Sequence, residues 1–203
     1  MIKRIIFDID GTLIRESNFR TFITEVFKNY GIEDIDKINL FIANISEYEH
    51  NYNCYDRNLY LKFFSNIIGI KLDYNFLKIL FQEAKKSIPN NSILIRKMLS
   101  TLSEYELVLL SNFFEESQRN RLTAMGINDY FSEYYGEKII KPNKQVYMEA
   151  KGKHEPEECL IVGNDKQLDI DIPKSLGFKT LYVNDNGDIK SVEMVSPRLI
   201  KRL

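Results

Sequence analysis

Apolar residues recur along this chain in two different rhythms. From Phe19 they fall at i, i+3, i+4, i+7, i+8 and i+11 (Phe19, Phe22, Ile23, Val26, Phe27, Tyr30), the stripe of a helix that buries one face. Ser17 or Asn18 is the expected cap and Gly31 the expected stop. Similar stripes predict helices over 36–46, 56–68 and 73–86, the last two opened by Asp56 and Asp73 and punctuated by Gly69 and Pro89. No strand pattern interrupts this stretch. The second rhythm is one of short, nearly continuous apolar runs: Arg4–Ile9, Leu107–Leu110, Cys159–Val162, Lys179–Val183 and a weaker Tyr134–Gly136. Such runs read as strands buried on both faces. Between them the pattern predicts helices over 92–102, ending at Met125, over 142–151 and over 169–176.

Strand and helix in alternation imply a parallel sheet covered on both sides. The expected fold class is α/β: a Rossmann-like doubly wound parallel sheet core, residues 1–15 and 88–203, with an inserted all-helical domain, residues 16–87. The tail, 189–203, is expected to add an edge strand and a helix starting at Ser196-Pro197. With 203 residues, the chain suits one large domain or a core with a small insert.

Charge removes several classes of partner. The net charge of −1 and pI near 6.2 give no basic footprint for nucleic acid. No apolar run approaches the roughly 18 residues of a membrane span, and the amino terminus lacks the pattern of a secretory signal. The two cysteines, Cys54 and Cys159, stand outside any metal-spaced group. They read as reduced packing residues of a cytoplasmic protein. His50 and His154 sit among polar neighbours and are expected at the surface. Phosphate-cradling GxGxxG and GxxxxGK patterns are absent.

The candidate chemistry sits where strands end. Asp8 and Asp10 lie two positions apart before Gly11. Strand alternation would turn both toward one point beyond the carboxyl edge, where open parallel sheets hold ligands. Like charges so close call for a cation or a shared proton. The other strands deliver Ser111 and Asn112, then Lys141 before Pro142, then Asn164, Asp165 and Asp169. Each has an ordinary explanation alone: a turn, a solvated lysine, a helix cap. Their recurrence at successive strand ends favours one site. Acids, a hydroxyl and an ammonium together support phosphoryl transfer, with a carboxylate as nucleophile and magnesium offsetting charge.

DIDGTL at 8–13, LLSN at 109–112, KP at 141–142 and GNDKQLD at 163–169 resemble, in order, the four motifs of the haloacid dehalogenase superfamily. The match spans nearly the whole chain, and the 16–87 insert is similar to the helical cap of the family's C1 branch. The resemblance implies that Asp8 is the nucleophile and Asp10 the acid/base. Ser111, Asn112 and Lys141 become the phosphate-binding set. Asp8, Asp10, Asn164, Asp165 and Asp169 become the metal set for Mg2+. Asn164 departs from the family's usual Asp, so Asp165 stands as a possible substitute ligand. Asp10 favours phosphate monoesters, since halide needs no protonation. The implied activity is magnesium-dependent hydrolysis of a small phosphorylated metabolite through an aspartyl-phosphate. A phosphomutase and a catalytically silent phosphate-binding protein are the alternatives. A receiver domain fits poorly, because Ser111 occupies the middle-strand position of its phosphorylated Asp. Arg20, Arg57 and Lys62 are the candidate cap contacts to substrate.

Overall fold

The computed structural model describes residues 1–14, 19–86 and 91–203. The expected cap at Ser17 or Asn18, Pro89, and the expected domain boundaries all lie outside the described residues. Five parallel strands, β1 (Arg4–Phe7), β2 (Glu106–Leu110), β3 (Glu133–Tyr135), β4 (Cys159–Gly163) and β5 (Lys179–Tyr182), form one sheet in the order β3-β2-β1-β4-β5. β1 lies in the middle, with Ile5 opposite Leu107 on one side and Leu160 on the other. Its four residues are all buried, as a central parallel strand requires.

Alternation divides the strand residues between two hydrophobic layers. Ile5, Phe7, Leu107, Leu109, Leu160 and Val162 pack on the side of Ile95, Leu99 and Leu122, which belong to helices introduced below. Ile6, Val108, Leu110 and Ile161 pack on the side of Val146, Tyr147 and Ala150. The sheet is thus doubly wound.

The stretch between β1 and β2 carries helices and no strand in its described part. It comprises α1 (Phe19–Tyr30), α2 (Ile35–Ala43), α3 (Ile45–Tyr52), α4 (Arg57–Ile68), α5 (Tyr74–Ala84) and α6 (Ser92–Ser100). The first five gather around Phe27, Phe41, Tyr48, Tyr60, Phe64 and Phe76, all fully buried. The single helix expected over 36–46 is two, because the chain breaks at Asn44, and α2 is capped by Asp34 rather than opened at Asp36. Asp56 and Asp73 do cap α4 and α5, Asp56 accepting from the Asn58 and Leu59 amides and Asp73 from the Asn75 amide.

After β2 comes α7 (Glu115–Ala124), then α8 (Lys144–Ala150), α9 (Ile172–Ser175) and α10 (Pro197–Ile200). Phe114, at the start of α7, is fully buried. It meets the rings of Tyr55, Tyr60 and Phe81 at 5.3, 5.0 and 5.6 Å. This ring fastens the helical insert to the sheet, and its loss would cost about 3–5 kcal/mol. Three expectations are corrected. The 169–176 segment is a π-helical turn, Lys166–Asp171, running into α9. The tail makes an isolated bridge, Val183 to Ile189, in place of an edge strand, while the helix expected at Ser196-Pro197 is α10, capped by the Ser196 side chain. His154 is buried rather than exposed, because its Nε2 lies 3.0 Å from Glu106 Oε2. His50 is exposed. Cys54 and Cys159 are both free.

Candidate active site

The amino-terminal strand is shorter than its apolar run suggests. The Asp8 amide still extends the ladder by donating to the Val162 carbonyl at 3.0 Å. The chain then curls, with the Ile14 amide donating to the Ile9 carbonyl at 2.9 Å. Asp10 therefore stands in a turn, and strand alternation does not place it. Gly11 makes the turn possible: its φ is +81°, and a Cβ there would sit 2.2 Å from the Asn164 amide nitrogen.

Asp8 is buried, and so are the groups around it. Lys141 Nζ donates to Asp8 Oδ1 at 2.9 Å and to Asp169 Oδ1 at 2.7 Å. Thr12, which is fully buried, donates its hydroxyl to Asp8 Oδ2 at 2.9 Å. Burial disfavours the charged form of Asp8 and pushes its carboxyl up to about 7, against the pull of Lys141. The two carboxylates hold the Lys141 ammonium above its ordinary range despite its own burial. With the ammonium and the Thr12 hydroxyl both in contact, the ionised carboxylate is the favoured partner.

Asn164 faces the same point. Its side-chain amide atom lies 2.9 Å from the Asp10 carbonyl oxygen and 3.3 Å from Asp8 Oδ2. With nitrogen there, the amide donates to both. With oxygen there, three oxygens converge, and the Thr12 hydroxyl at 3.0 Å or a cation is what reconciles them. A carboxylate, a carbonyl and an amide oxygen are the donor types a hard divalent cation takes, so the residues fit magnesium. Among the described residues no cluster of three or more His, Cys, Asp or Glu side chains could hold a metal alone. Asp169 is committed elsewhere, Oδ1 to Lys141 and Oδ2 to the Asp165 amide at 3.0 Å. Asp165 is exposed and caps the π-helical turn, accepting from the Gln167 and Leu168 amides. Its carboxylate is thus spent on the helix end rather than turned to Asp8.

Asp10 is reached from α7. Arg121 donates to Asp10 Oδ1 at 2.7 Å, and Gln118 donates to Asp10 Oδ2 at 2.8 Å. Gln118 also donates to Ser111 Oγ at 3.3 Å. Ser111 is buried at the end of β2. Asn112 differs from its expected role, because its side chain is paired with the backbone of Lys141. Thr12, Gln118 and Arg121 went unmarked in the sequence. A signal exists for the last two: α7, EESQRNRLTA, has almost no apolar face, so a helix packed there must bury polar groups.

Beside Asp10 opens a cavity of about 250 Å³ between the sheet edge and the insert. Phe19, Phe22, Ile45, Glu49 and Tyr55 line it from the insert, and Arg121, Gln118 and Ser117 from α7. Arg20, Arg57 and Lys62 do not line it. All three are exposed; Arg20 bonds Asn39, and Arg57 pairs with Glu116. Long charged side chains on those faces find water and local partners instead.

A model of the haloacid dehalogenase-like hydrolase family matches residues 5–183. This chain belongs to that family. The hydrolase is 24% identical over 200 residues to the glyceraldehyde 3-phosphate phosphatase of Methanothermobacter thermautotrophicus, covering 91% of this chain and 86% of the relative. Its fold is similar to that of a HAD phosphatase from Thermococcus onnurineus, with a TM-score of 0.63, 23% identity and 94% of each chain covered. A putative HAD-hydrolase from Bacillus subtilis, solved bound to magnesium, gives a TM-score of 0.70 at 16% identity, covering 93% of this chain and 92% of the other. At such identities structural likeness speaks to the fold alone. No helix among the described residues is long and apolar enough to cross a membrane.

Proposed function

We propose that this hydrolase is a magnesium-dependent phosphatase of small phosphate monoesters, working through an aspartyl-phosphate on Asp8. The observation that carries the reading is the buried Lys141 ammonium, shared between Asp8 and Asp169, because it fixes the nucleophile and leaves a cation beside the incoming phosphoryl oxygens. The phosphatase from Methanothermobacter supports a phosphorylated small molecule as substrate.

In this reading an Asp8 oxygen attacks phosphorus, and the bond from phosphorus to the ester oxygen breaks. Asp10, protonated at that stage, gives its proton to the leaving alkoxide. Water then attacks phosphorus, Asp10 takes a water proton, and the bond to Asp8 breaks to free phosphate. Ser111 and Lys141 bind the phosphoryl oxygens through both steps. Asp8, the Asp10 carbonyl and Asn164 would hold magnesium, with Asp169 anchoring Lys141 rather than ligating directly. When bound there, the ion supplies positive charge that offsets repulsion between phosphate and Asp8. Residues 16–87 act as a C1-type cap whose aromatic underside excludes water from the reacting centre.

The test is turnover of phenyl phosphate by purified protein with magnesium. The reading expects turnover, its loss with chelator, and its loss in Asp8→Asn. Absence of turnover across a broad phosphate panel would leave the silent binding protein in its place.

A further inference from the structure

The proposed chemistry leaves two polar groups of the cavity beside Asp10 without a task. Glu49, on α3, is half-buried in the aromatic wall. It accepts from the Tyr55 hydroxyl at 2.7 Å, and among the described residues no cation lies within ion-pair distance of it. Burial pushes its carboxyl above the usual range. Ser117, on α7, is fully buried, and its Oγ has no hydrogen-bond partner. It lines the same cavity. The orphaned Ser117 hydroxyl is costly to leave unmatched, and the Glu49 carboxylate, held by Tyr55 and Asn112 but by no cation, keeps acceptor capacity to spare. A bound molecule that brings a hydrogen-bond donor to this cavity meets both on its lining.

The other charges on this cavity sharpen the point. Arg121 also lines it, but its guanidinium is already matched by Asp10 at 2.7 Å. Of the two carboxylates that line the cavity, Glu49 is the one without a cation partner among the described residues. The flanking Phe19, Phe22 and Phe113 suit a short carbon stem.

Within the phosphatase reading, on which this rests, we propose that Glu49 determines specificity. It selects small phosphate esters whose alcohol carries a hydrogen-bond donor, an ammonium or a hydroxyl, and it rejects those carrying a carboxylate. Like charge facing like charge in a dry pocket discriminates strongly.

The test compares 2-aminoethyl, 2-hydroxyethyl and carboxymethyl phosphate, matched in length and differing only at the far end, with phenyl phosphate as reference. Wild type is expected to favour the first two over carboxymethyl phosphate by about tenfold or more in kcat/KM. Glu49→Gln should shrink that preference to within about threefold, and Tyr55→Phe should shift it less. Each ratio is taken within one preparation, so partial loss of folded protein cancels. An unchanged preference in Glu49→Gln, or turnover of phenyl phosphate by wild type without discrimination among the three esters, overturns the role of Glu49. Failure of wild type on phenyl phosphate and all three esters overturns the phosphatase reading itself.

Discussion

Asn112 grips Lys141 by its peptide rather than by its ammonium. Its Nδ2 donates to the Lys141 carbonyl at 3.0 Å, and its Oδ1 accepts from the Lys141 amide at 2.8 Å. The end of β2 thereby fixes where the lysine side chain departs, a strand away from the carboxylates it meets. Asn112→Leu removes both bonds and strands two backbone groups at a cost of about 1–3 kcal/mol. Turnover should fall by about tenfold to a hundredfold through misplacement of the ammonium. Asn112→Asp, which keeps the acceptor and loses the donor, should fall in between. Denaturant titration and steady-state kinetics on the two variants check this order.

Lys141 itself is the charge that lets Asp8 and Asp169 lie buried together. Lys141→Met should abolish measurable turnover and destabilise the fold by about 3–5 kcal/mol. The pH dependence distinguishes this from simple packing loss. In the native protein Lys141 pulls the Asp8 carboxyl down against burial, so without it the folded-state value rises further above the unfolded one. A carboxyl raised on folding binds more protons native than unfolded, and stability falls as pH rises. The deficit of the variant relative to wild type should therefore be greater at pH 8 than at pH 5, as read by urea midpoints at both.

Arg121 and Gln118 occupy both oxygens of Asp10 from α7. They act as positioning residues for the proton donor in the proposed reaction. Arg121→Met should lower kcat by about tenfold to a hundredfold. The loss should be greater for alkyl than for aryl phosphates, because an alkoxide depends on protonation and a phenolate does not. An equal loss on both ester types would assign Arg121 to structure alone.

At the opposite edge of the sheet, Glu106 meets His154, Lys153 and Arg4. These partners, His154 foremost, hold its carboxyl down at about 2. A carboxyl lowered on folding contributes stability that is present above its unfolded value and is lost as pH falls toward the folded one. Wild type should lose stability between about pH 4.5 and 2 more steeply than Glu106→Gln, measured by thermal unfolding across that range.

The sheet and most of the site were legible in the chain because both obey local rules. Buried parallel strands are short apolar runs, and chemistry collects just beyond their ends. Lys141, Asp8 and Asp169 were found on that ground, and the lysine ammonium joins the two acids, while Ser111 is linked to Asp10 through Gln118. What escaped depended on tertiary context. α3 has little apolar signal beyond Ile45, Tyr48 and Tyr52, and Asn44 before its start is neither glycine nor proline. Yet α3 bears Glu49. Thr12, Gln118 and Arg121 are polar side chains whose burial only the packed α7 and the turn after β1 reveal. Asp165 has the right composition for a ligand and the right position for a cap, and the backbone amides of Gln167 and Leu168 decide for the cap.

The central claim is that phosphorus becomes bonded to Asp8. The direct measurement is a rapid borohydride quench of protein turning over phenyl phosphate with magnesium, followed by peptide mass spectrometry. A phosphorylated carboxylate is reduced under these conditions and a free one is not. The account predicts homoserine at position 8 and unaltered Asp10 and Asp169. Homoserine at any other acid, with position 8 intact, would contradict it.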